Sequence, residues 1–148
     1  MELLQERYRK IVGTAVAAAA GIGIPGMFIP GLDMAGIGAT WTTMVIAIAK
    51  ESGHDLDSTM VGKLVSSAIG AVSGYIVGSK ILTWAFTPLI LIFPIAGVPS
   101  VVALNAGLNG LFTLRLGVAC SREFSRSDFT SLDAAKLAGK IGKLLIGL

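Results

Sequence analysis

Between Lys10 and Lys50 the only charged side chain is Asp33, and between Lys63 and Arg115 the only one is Lys80. Two stretches so poor in charge constrain the fold more than any other feature, because most of their length has to be withdrawn from water. Residues 11–32 are long enough, at about 1.5 Å per helical residue, to cross a hydrocarbon layer of roughly 30 Å. Residues 34–49 return from a proline and glycine turn and are slightly short for a crossing. Residues 50–63 form the most polar interior stretch, a loop with Asp57 or Ser58 as N-cap of the next helix. Residues 64–93 and 101–119 then repeat the apolar pattern around FPIAGVPS.

Composition narrows the class further. The 148 residues are 53% hydrophobic and 14% charged, with a mean hydropathy of +0.78, where soluble domains carry about 25% charged residues. The apolar content excludes disorder, the irregular placing of 19 glycines excludes collagen, and the single Cys120 excludes a disulfide scaffold. The expected fold class is therefore all-α, an integral membrane helical bundle of two hairpins and about four spans, followed by an amphipathic C-terminal helix. Residues 1–120 make the helical transmembrane domain, with hairpins at about 11–50 and 58–120, and residues 121–148 the basic C-terminal helix. The other readings of the same composition are a cleaved N-terminal signal segment, which Glu2 and Glu6 argue against, and an all-helical chain buried in a large assembly.

The net charge of +3 forms no patch of the kind nucleic acid needs, so no nucleic-acid partner is expected. The cations cluster near the N-terminus, at residues 50–63 and beyond Arg115, which by the positive-inside rule predicts a multi-pass membrane placement with both termini cytoplasmic. Lys80 falls inside the third span, so either it faces protein or a polar cavity, or residues 81–93 are a re-entrant segment. The polar intramembrane candidates are Lys80, Asn105, Asn109 and Arg115. With Thr113 they either glue helices together or line a path for an ion or small solute.

The hairpin turns are placed at Pro30, Gly31 and Asp33 and at Pro94, Gly97 and Pro99. Their similarity suggests a weak internal duplication. Ser66, Gly70, Gly74 and Gly78, spaced by four, predict a smooth helix-contact face, within one subunit or between copies, and Gly13, Ala17 and Gly21 make a second one. In SLDAAKLAGKIGKLLIGL, with Ser131 as cap, Leu137, Ile141, Leu144, Leu145 and Leu148 share one face while Lys136, Lys140 and Lys143 share another. This face suits the surface of a lipid bilayer, or the helix packs back on its own bundle.

Catalytic groups are sparse. GIGIPG matches a dinucleotide fingerprint in letters only, with no strand before it and Pro25 inside it, and no P-loop occurs, so no cofactor is expected. His54 is the only histidine and Cys120 lies far from it. Glu51, Asp55 and Asp57 near His54 read as a solvated loop before they read as a metal site. The chain reads as no enzyme.

The run IPGLDMAGIGATWTTMVIAIAKESGHDLD, a Gly- and Ala-rich helix, and FPIAGVPSVVALNAGLNGLFTLRLG together resemble the YcjF-like, GTPase-associated family of membrane domains. The matching positions are Pro30, Gly31, Asp33, Lys50, Gly53, Pro94, Gly97, Asn105 and Gly107, over about residues 15–120. The resemblance implies a helical hairpin module serving a separate GTPase and carries no catalytic residue. The expected function is a small non-enzymatic membrane scaffold or partner-binding module, homo-oligomeric through its glycine-lined faces. An oligomeric pore is the alternative, and a membrane-surface enzyme the second.

Overall fold

The computed structural model describes residues 4–26, 32–73 and 94–146. These residues form five helices and no strand: α1 (Glu6–Gly26), α2 (Leu32–Glu51), α3 (58–73), α4 (Pro94–Phe124) and α5 (Ser131–Ile146). The all-α class is as expected. Lys80, Gly74, Gly78, Pro30 and Gly31 lie outside the described residues.

Packing fixes the relative directions. Tyr8 meets Ser52 and Gly36 meets Ile22, so α1 and α2 run antiparallel. Gly110 approaches Val16 and Gly117 approaches Val12, so α4 runs antiparallel to α1 and parallel to α2. Helix α5 folds back on α4 and touches α3 where Gly142 faces Ala71. One core joins them, with Tyr8, Val12, Ile37, Trp41, Ile48, Leu64, Leu116, Phe124, Ile141 and Leu145 fully buried.

Local signals define the helix ends. Helix α2 stops in a Schellman turn: the His54 amide donates to Ala49 O, the Gly53 amide donates to Lys50 O, and Gly53 takes φ +81° as the left-handed residue. Asp57 caps α3, its Oδ1 accepting from the Met60 amide at 2.7 Å. Helix α5 is capped by Thr130 rather than the expected Ser131. The Thr130 amide donates to Asp133 Oδ2 at 2.8 Å while its carbonyl accepts from the Asp133 and Ala134 amides.

Two expectations change, and one open alternative is decided. No described helix is long and apolar enough to cross a membrane, which overturns the multi-pass membrane placement with both termini cytoplasmic. The physical reason is visible in the burial. Most bulky apolar side chains point into the core, Ile46 and Leu111 excepted, while the outward faces carry Thr14, Ala17, Ala18, Gly21, Ala39 and Thr43, which lower the charge content but expose less hydrocarbon per residue than the leucines and isoleucines of a spanning helix. Secondly, Pro94, Gly97 and Pro99 lie in the first turns of α4 instead of a connecting turn. Pro94 takes the first helical position, where a missing N–H is no loss. For α5, of the two placements left open, packing back on its own bundle is the one seen: Ala134, Leu137, Ile141 and Leu145 are buried, while Leu132 and Leu144 are exposed.

Candidate functional site

Polar groups inside the bundle are assembled into one ladder. Trp41 Nε1 of α2 donates to Thr113 Oγ1 at 2.8 Å, Thr113 donates to Asn109 O at 2.7 Å, and Asn109 Nδ2 reaches Ala19 O of α1 at 3.2 Å. The Thr113 hydroxyl thus both accepts and donates, and the ladder ties α2, α4 and α1 together. Asn109 and Thr113 are buried at 2% and 0% exposure, so their bonds serve helix contact. Asn105 lies in α4 but its side chain falls outside the description. Arg115 Nη1 donates to Leu145 O at 2.6 Å and satisfies a carbonyl in the last turn of α5.

At the opposite end of the α1 and α2 pair, Ser52 Oγ donates to Ile48 O, which leaves the Tyr8 hydroxyl to donate to Ser52 at 2.6 Å. His54 Nε2 lies 2.9 Å from Phe124 O, and since a carbonyl only accepts, Nε2 carries the proton. The imidazole also packs on Phe129 with centroids 4.5 Å apart, and Phe129 packs edge-on against Phe124. The single histidine therefore pins the connection after α2 to the end of α4 and to the connection between α4 and α5. Cys120 is fully buried, and desolvation raises its pKa to about 12, so the thiol is protonated near neutrality and is no nucleophile. No group of three metal-ligating side chains occurs among the described residues.

Outward residues present two kinds of face. On α3, Ser66 and Gly70 are exposed, and Gly70 and Gly62 have open space where a Cβ would stand. Between α1 and α2 lies an open groove of ≈ 530 Å³ lined mostly by small side chains, with Lys10 among its lining residues. Lys136, Lys140 and Lys143 are all exposed on α5.

Sequence reasoning missed the closest helix contact. A Cβ on Gly117 would stand 2.7 Å from both methyls of Val12 and 3.3 Å from Met44 Sδ, at the point where α4 crosses α1 and α2. Gly36 and Gly38 of α2 are less tight, a Cβ there standing 3.1 Å from Ile22 and 3.3 Å from Ile69. Only a glycine flanked by apolar residues at helical spacing marked these positions, a signal shared by most glycines of this chain.

Fold and site together define an all-α bundle whose described titratable groups include no assembled catalytic set. No protein-family model, curated protein or solved structure matches the chain.

Proposed function

We propose that the protein is a non-enzymatic partner-binding module that associates with a second copy through the outward small-residue face of α3. The observation that carries this is the open space at Gly62 and Gly70, with Ser66 exposed between them. Glycine in a helix interior costs about 1 kcal/mol relative to alanine. Internal packing gives no reason for that cost at Gly62 or Gly70, whereas a neighbouring backbone lying in the groove would. The engagement of His54 and the high pKa of the Cys120 thiol support a role that is not catalytic. The family resemblance adds a separate GTPase as the second partner class.

The test is a molar-mass measurement over a concentration series by sedimentation. Association that Ser66→Leu and Gly70→Leu abolish, with helicity unchanged, is the expected result. A monomer at every concentration, or association that both variants leave intact, would overturn the reading.

A further inference from the structure

The groove between α1 and α2 has a definite chemistry. Two of its three threonine hydroxyls are spent inside α2, Thr40 donating to Gly36 O at 2.8 Å and Thr43 to Ala39 O at 3.0 Å. What these residues turn to the groove is mainly methyl, beside Ala15, Ala18, Ala39 and Ala47. A trough walled by such short side chains is shallow and runs along the helices. From Lys10 to Ala18 it covers two helical turns, roughly 12 Å. Its volume lies within the range of small-molecule sites, about 300–1,000 Å³.

Charge gives the groove a direction. The only charged residue lining it is Lys10, which is exposed and forms no ion pair among the described residues. Lys10 lies at the end shared by the start of α1 and the finish of α2, where Arg7, Arg9, Lys10 and Lys50 outnumber Glu6 and Glu51. An apolar trough with a single cation, Lys10, at one end matches a molecule with one hydrocarbon chain and one anionic head.

We propose that this groove binds a medium-chain fatty carboxylate, its chain between Ala18 and Ala39 and its carboxylate on Lys10. The ammonium supplies the hydrogen-bonding charge, and burial of the chain against alanine and threonine methyls supplies the apolar contribution. The proposal is independent of self-association, which involves the outward face of α3.

Calorimetric titration of the delipidated full-length chain with dodecanoate, below its micellar concentration, tests this. One saturable site per chain is expected. Lys10→Gln should weaken dodecanoate about tenfold while leaving the affinity for dodecanol unchanged, and Ala18→Leu with Ala39→Leu should abolish binding of both. Ala18 and Ala39 are exposed, so these leucines fill the groove without entering the core, and circular dichroism checks that the helices persist. Absence of saturable uptake, equal binding of dodecanol and dodecanoate, or indifference to Lys10→Gln would overturn the proposal. So would a rise in mass with concentration that the paired leucines abolish while dodecanoate is not taken up, which would assign the groove to a second copy of the chain.

Discussion

Glycines in this chain do two opposite jobs, and substitution separates them. At Gly117 a methyl would be driven into Val12, whose β-branched side chain has little rotamer freedom on a helix. Gly117→Ala should destabilise the bundle by about 1–3 kcal/mol, the range for overpacking a core, seen as a lower urea midpoint with an unchanged slope. Gly107 and Gly139 meet nothing within 4 Å and are exposed. Alanine there should raise stability by about 0.5–1 kcal/mol each, because the folded helix loses nothing and the unfolded chain loses freedom. If both sets of variants moved the midpoint in the same direction, the crossing at Gly117 would be misplaced. Gly107 and Gly117 lie in the same apolar stretch of sequence, yet only the neighbour in space, Val12 or none, decides the sign.

Helix α5 shows how far an element can be read from its own residues. Its apolar face at Leu137, Ile141 and Leu145 and its lysine face at Lys136, Lys140 and Lys143 follow from 3.6-residue periodicity and are placed as read, whereas Leu144, read onto the same apolar face, is exposed and Leu148 lies outside the described residues. What lies against the apolar face depends on α3 and α4, which periodicity does not contain; the answer is protein at Ala71 and the Arg115 contact. The cap likewise shifted by one residue: serine is in general the better cap, but the back-bond from Asp133 selects Thr130. That bond, first through the Thr130 amide, lowers the pKa of the Asp133 carboxyl. A depressed folded pKa means stability present above the ordinary carboxylate range and lost as pH falls through the folded value. The Thr130 amide resonance should therefore titrate with a midpoint below about 3.9, the ordinary value for Asp. The start of α5 should fray there first, and Asp133→Asn should remove the acid dependence. A midpoint at or above the ordinary value would show that the carboxylate does not cap α5.

At the scale of the molecule, low charge content was the clearest sequence signal and the one whose meaning changed. It led to spans because every apolar residue was credited alike, whereas the bundle divides them. Trp41, Tyr8, Phe124 and the branched residues fill the interior, and alanine, glycine, serine and threonine cover much of the outside. Cys120 reports on that interior as a whole. It lies fully buried in the core formed by α1, α2, α3, α4 and α5, with its thiol pKa raised by desolvation from 9.0 to about 12. Above pH 9 the unfolded thiol loses its proton while the folded one keeps it, so the folded state binds more protons and stability falls as pH rises. The contribution is fully present below the unfolded pKa and is lost up to about pH 12. Between pH 10 and 11 the native chain should lose about 1.4 kcal/mol per pH unit relative to Cys120→Ala, measured as diverging urea midpoints. In the same samples a thiol reagent should react with native Cys120 only as fast as the bundle opens. Parallel midpoint curves, or native labelling as fast as in denaturant, would mean that the five helices do not share one closed core.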